Sequence, residues 1–136
     1  MTSPLNSAVI LSDAGEGYKL YAKDVIVQRL QAHLVTISAC RSAGAKSYAG
    51  EGLIGFTWAF LQAGARNVVA GLWNADDAAT ADIMAAFYEK LVSGARPAEA
   101  LRFAKLKLVK QRGPHRMPYY WGTLQLFTRE LDDRTD

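Results

Sequence analysis

The chain has 136 residues, half of them apolar and 21% charged, with a formal net charge of +3. That is one domain with a real core but short for a complete α/β enzyme, and so modest a charge makes no demand for nucleic acid. A single cysteine excludes an internal disulfide, no apolar run approaches the roughly 18 residues of a membrane span, and the start lacks the basic and apolar regions of a signal peptide. The expected setting is therefore a soluble chain in a reducing cytoplasm, away from the membrane.

In chain order, Ala8, Val9, Ile10 and Leu11 form a short β-type run. Turn chemistry follows from Ser12 to Gly17, and Tyr18, Lys19, Leu20 and Tyr21 alternate like a returning strand. Together they predict a small exposed hairpin. Residues 23–31 read as a short helix with Val25, Ile26 and Leu30 on one face. Residues 34–38 are a near-continuous apolar run and predict the first buried strand.

That run leads into Cys40, the sole cysteine, and then a loop of small and polar residues ending at Glu51 and Gly52. A β-rich run opening into such a loop and then a helix puts its end at the carboxyl edge of a parallel strand. Open α/β sheets keep their reactive groups there. Cys40 is thus placed for a nucleophile, against the plainer reading that a lone cysteine is a small buried hydrophobe.

From Gly52 the periodicity becomes helical, with Leu53, Phe56, Thr57, Phe60 and Leu61 on one stripe and Gly64 as the stop. Residues 67–72 (NVVAGL) predict a second buried strand, ending in a polar loop of Trp73, Asn74, Ala75, Asp76 and Asp77. Strand, helix and strand joined by short links form one crossover unit, so the two strands are expected as parallel neighbours with their following loops at one cleft. Asp76 or Asp77 can cap the next helix, which buries Ile83, Phe87 and Leu91 beside Met84 and Tyr88 and stops at Gly94. Pro97 opens a further helix with Leu101, Ala104 and Leu108 inward. Gly113, Pro114 and Pro118 break that pattern. Tyr119, Tyr120 and Trp121 are expected to pack a last apolar segment, residues 123–127, against the sheet, and a mixed-charge tail follows from Arg129.

Three stretches now carry a signature. The SAC motif with its loop and GEGLIGFTWAFLQAGARNVVAGLW, then DDAATADIMAAFYEKLVSGARPAEALRFAK, then PYYWGTLQLF, closely resemble the CHAT family. These are caspase-like domains of the caspase–separase clan of cysteine peptidases, common in bacteria. The likeness runs in order from about Leu11 to Phe127, and residues 1–128 are expected to be the C-terminal, cysteine-bearing part of such a domain, followed by a polar tail at 129–136. The resemblance implies an α/β fold: a mostly parallel, caspase-like sheet flanked by helices, with a final antiparallel edge strand. It also implies a Cys–His dyad, in which Cys40 matches the nucleophile. The family's histidine loop precedes the hairpin at which this sequence begins. The chain is therefore expected to lack the N-terminal strands and the dyad histidine, and to be a poor peptidase alone. No cofactor or metal is implied.

The two histidines do not replace the missing one. His33 precedes the residue 34–38 strand, at the end opposite Cys40 and about 15–20 Å away by strand rise. His115 reads as a solvated loop histidine, with a role in the cleft as the alternative. Arg41 could hold a thiolate or meet substrate, against the plainer reading of a solvated side chain. Glu51 is expected to serve its own helix N-terminus. By resemblance, one of Asp76 and Asp77 lines a pocket for an Arg or Lys at P1 while the other caps a helix starting at Ala78. Trp73 is pocket wall or core, with core the plainer reading.

Six basic residues, Arg102, Lys105, Lys107, Lys110, Arg112 and Arg116, have no acid between them. A solvated face, or a surface that docks another domain, accounts for them more simply than nucleic acid, since no aromatic residues are interleaved for base stacking. Three functions are thus weighed. The first is the cysteine-bearing portion of a peptidase acting on protein substrates, its histidine coming from an upstream segment or a second chain. The others are a truncated CHAT scaffold serving as a protein-interaction module, and a basic nucleic-acid surface. An unpaired edge on the residue 34–38 strand also predicts a homodimer when the chain folds alone.

Overall fold

The computed structural model describes residues 4–10, 19–38, 51–73 and 76–129. Its main sheet has three strands in the order β3 (Val35–Ile37), β4 (Asn67–Gly71), β5 (Leu124–Thr128). Before it comes a two-stranded antiparallel hairpin, β1 (Ala8–Ile10) with β2 (Lys19–Tyr21), in the register Ala8 to Tyr21 and Ile10 to Lys19. The hairpin's turn, from Leu11 to Tyr18, lies outside the described residues.

The helix expected over residues 23–31 is shorter. α1 covers only Ala22–Ile26. Three consecutive β-branched residues, Val25, Ile26 and Val27, lose side-chain freedom in a helix and weaken its continuation. The backbone beyond finds other partners: Leu30 N–H donates to the Ala63 carbonyl at 2.7 Å, and Arg66 N–H donates to the Ala32 carbonyl at 2.9 Å. Tertiary hydrogen bonds thus replace helical ones and lay this connection along the turn that follows α2 (Glu51–Ala63).

β3 and β4 are parallel, with Val35 opposite Val68 and Ile37 opposite Ala70. β5 runs antiparallel to β4, with Leu124 opposite Gly71 and Thr128 opposite Asn67. The chain is therefore mixed α/β, and the described sheet has one parallel and one antiparallel pairing. β4 is the centre: Val68, Val69 and Ala70 are all fully buried. β3 is less buried than its apolar run predicts, with only Ile37 enclosed and Val35 and Thr36 half-buried. The reason is position. Among the described residues β3 has a neighbour on one side only, so its second edge is uncovered.

The alternation of β4 divides the core in two, as side chains on a strand must alternate between faces. Val68 and Ala70 pack with Ile37 and with Phe56, Ala59 and Ala63 of α2, together with Ala22 and Val25 of α1. Val69 faces the other way, onto α3 (Asp77–Val92) and α4 (Pro97–Val109), where Ile83, Phe87, Leu101, Ala104 and Leu108 meet Leu124 of β5. Helices therefore cover both faces. The helical stops are as expected: Gly64 and Gly94 have φ of 120° and 94°, the left-handed range that glycine adopts at no steric cost. Pro97 occupies the first turn of α4, where a missing N–H is harmless. A 3-10 turn (Pro114–Arg116) and a four-residue helix, α5 (Pro118–Trp121), carry the chain back to β5. Among the described residues no helix is long and apolar enough to cross a membrane.

Candidate functional site

Because β3 and β4 are parallel, both deliver the chain to the same edge of the sheet. β5, being antiparallel, starts at that edge. The residues after β4 and those before β5 must therefore meet there. Thr123, 2% exposed, joins them. Its carbonyl accepts from Leu72 N–H at 2.8 Å, while its hydroxyl accepts from Trp73 N–H at 3.2 Å and donates to the Trp73 carbonyl. One threonine thus fixes the backbone of the strand exit against the strand entry. Sequence reasoning passes over it, because a threonine in an apolar run carries no signal of its own.

Trp73 is not core. It is 39% exposed, with its indole Nε1–H donating to the Tyr119 carbonyl at 2.9 Å. The ring lies against Gly122, where an added Cβ would stand 3.3 Å from the ring and 2.7 Å from the Pro118 carbonyl oxygen. A half-open indole spanning from β4 to α5 therefore walls the edge. Its burial falls short of the expectation because the chain has already left the covered part of the sheet. Nor do all three aromatics before β5 pack inward: Tyr120 and Trp121 lie on the core, but Tyr119 is 54% exposed.

Asp76 is the N-cap of α3, which begins at Asp77 rather than Ala78, and its Oδ2 accepts from Ala79 N–H at 3.3 Å. The same oxygen lies 3.1 Å from His115 Nε2. His115 is not a solvated loop histidine: its side chain is 30% exposed, and its ring centroid lies 4.8 Å from that of Tyr120. The pairing was legible in principle, since an antiparallel last strand brings the loop before it to the edge where β4 ends. Asp77 occupies the first turn of α3, where the helix dipole favours an acid.

Cys40 and Arg41 lie outside the described residues, as do Asn74, Ala75 and the side chain of Glu51. What is described is where the chain leaves β3, at Ser38, on the Trp73–Asp76 edge of the sheet. His33 is at the other end of β3, where its carbonyl accepts from Asn67 Nδ2 at 3.0 Å. The six basic residues are divided. All but Lys105 are exposed; Lys105 is half-buried and, with Arg102, lines a groove beside β5.

Asp76→Ala removes the cap and the partner of His115 together, and is expected to cost about 1–2 kcal/mol in urea unfolding. Asp76→Asn, which caps equally well, is expected to recover most of that loss. An alanine variant as stable as the parent would show that the α3 start is held by other contacts.

A family model described as CHAT domain matches residues 1–129. The chain is 34% identical over 112 residues to tetratricopeptide repeat protein 28 of Mus musculus, and equally to tetratricopeptide repeat protein 28 of Homo sapiens. Each alignment covers 82% of this chain and 4% of the other protein, so the chain spans about 4% of the length of these curated relatives.

Proposed function

This chain belongs to the CHAT domain family, and from that premise we propose that it carries the cysteine-bearing part of a caspase-like, protein-cleaving site. The observation that carries the reading is the parallel β3–β4 pair, which delivers the segment leading to Cys40 and the Trp73–Asp76 segment to one sheet edge. Cys40 is the nucleophile. A thiol of ordinary pKa, about 8.5, is only a few per cent thiolate at neutral pH, so a base must take its proton. A histidine from a partner segment or a second chain does so. The thiolate then adds to the scissile carbonyl, the amine leaves with the proton from the imidazolium, and water hydrolyses the thioester. Backbone N–H groups beside Cys40 hold the oxyanion.

The uncovered edge of β3 is where the histidine-bearing segment, or a second copy of the chain, adds to the sheet. One of Asp76 and Asp77 meets a basic P1 side chain, and Asp76 also accepts from Ala79 N–H and lies beside His115. Trp73 is the wall of that pocket, and Arg41 meets substrate beside the nucleophile.

A second reading has its own support. The engagement of Asp76 within the fold explains that acid without a substrate, and the relatives carry a tetratricopeptide repeat name. On this reading the chain is a protein-interaction module. The rate at which Cys40 reacts with iodoacetamide, followed from about pH 5 to 9, separates the two. For the peptidase reading we expect an inflection well below that of a free thiol, in the chain alone or with a histidine-bearing segment added. A free-thiol profile in both overturns that reading and leaves the interaction module.

A further inference from the structure

A groove of about 380 Å³ runs between α4 and β5. Its apolar floor includes Leu101, Val109 and Trp121, and Arg102 and Lys105 stand over it. On the strand side it is lined by Gln125 and Leu126. These are consecutive in β5, so their side chains point to opposite faces of the sheet, and only the strand's edge presents both. The groove therefore opens onto an edge.

The hydrogen-bond register shows what that edge offers. Leu72 N–H bonds to the Thr123 carbonyl, and Arg129 N–H bonds to the Arg66 carbonyl. In an antiparallel pair the bonded positions alternate. Gln125 and Phe127 therefore turn their backbone groups toward β4, while Leu124, Leu126 and Thr128 turn theirs outward. Among the described residues β5 has no neighbour on that side. An outward row of N–H and C=O groups is the template for an added strand.

Charge selects what fits. Lys105 is half-buried, and among the described residues no carboxylate pairs with it. Burial pushes its ammonium pKa below the ordinary lysine range, which marks a cation set into an apolar groove with no counter-ion among the described residues. Arg102 lies beside it, and Glu99, the acid earlier on α4, is held by Arg96 at 2.8 Å. A second copy would bring the same cations into opposition. A small apolar ligand would fill the volume yet leave the strand edge unused.

We propose that the open edge of β5 and its groove with α4 take an extended acidic segment of a partner protein as an added strand. The side chains on its α4-facing side are apolar where they lie on Trp121 and Val109 and acidic where they meet Lys105 and Arg102. The inference uses neither Cys40 nor the peptidase reading, and stands or falls apart from both.

The test is fluorescence anisotropy of the whole chain with a labelled peptide of about seven residues, a strand with its flanks, with Leu and Glu on one face and Thr on the other. The acidic peptide is expected to bind, more weakly as salt rises. A peptide with Lys replacing Glu is expected to bind at least about tenfold more weakly. N-methylating alternate amides removes outward donors in one phase and not in the other, so one phase is expected to abolish binding and the other to spare it. Lys105→Met keeps the stem and removes the unpaired cation. It is expected to raise the melting temperature while weakening the acidic peptide by about tenfold.

Equal loss in both N-methyl phases, or in neither, overturns strand addition. Equal binding of the Lys peptide overturns the acidic partner. Tighter binding of a short DNA duplex through Lys105 and Arg102 would make the face a nucleic-acid surface instead. A dimer in light scattering that Lys105→Met tightens and the acidic peptide does not dissociate would make its occupant a second copy.

Discussion

Replacing Gly64 with alanine is expected to cost about 3 kcal/mol or more, a large share of the total stability of a small domain. Two effects act together. Gly64 has a φ of 120°, a conformation in which a side chain is strained wherever it points. Its missing Cβ also faces the Leu30 carbonyl oxygen, well inside contact distance. That oxygen is backbone and cannot swing aside. It is held by the neighbouring bond from Leu30 N–H to Ala63, so relief would require separating the α1–β3 connection from the end of α2. The same connection sets where β3 lies beside β4, and hence where the chain departs toward Cys40. The measurement is urea unfolding followed by circular dichroism. Parent-like stability would mean that the α2–β4 turn and the residue 30–32 segment are not in contact as described.

Phe87→Ala is expected to cost about 3–5 kcal/mol, against a total stability of about 5–15 kcal/mol for a domain of this kind. Phe87 is fully buried and is among the largest side chains in the core. It sits where α3 meets α4 and the Val69 face of the sheet, and Ile83, Leu101, Ala104 and Leu108 belong to the same cluster. None of these elements can collapse far into the hole, because each is already packed on the sheet or on its helical neighbour. The adjacent Tyr88 supplies a contrast. Its hydroxyl lies 2.7 Å from Thr36 Oγ1 on β3, an exposed hydrogen bond linking α3 to the edge strand. Tyr88→Phe is expected to cost about 1 kcal/mol or less. A Phe87→Ala loss as small as that of Tyr88→Phe would overturn the packing of α3 as the central helix of that face.

Both effects follow from residues that sequence reasoning already picks out, Gly64 as a helix stop and Phe87 as a buried position. Their magnitudes depend on neighbours it does not see. A glycine after a helix is common, whereas one whose Cβ would strike a carbonyl from residue 30 is a property of this packing. The candidate site divides in the same way. Asp76 or Asp77 as a cap is local chemistry, and the structure selects Asp76. That the same carboxylate meets His115 depends on the antiparallel return of β5, which brings a distant loop to the edge.

The order of strands and helices, the stops at Gly64 and Gly94, the start at Pro97, the inward faces of α2, α3 and α4, and the family are all legible in the amino-acid order. These rest on periodicity, on backbone freedom and on motif spacing, all of which act over a few residues and survive in any context. Only tertiary contacts set that α1 ends at Ile26, that Trp73 stays half open, and that among the described residues β3 is an edge and β5 turns an unpaired row of backbone groups onto a basic groove. Each of these depends on which segments become neighbours. Neighbours are set by the summed burial of two helical layers on one short sheet, a quantity no single stretch of the chain contains.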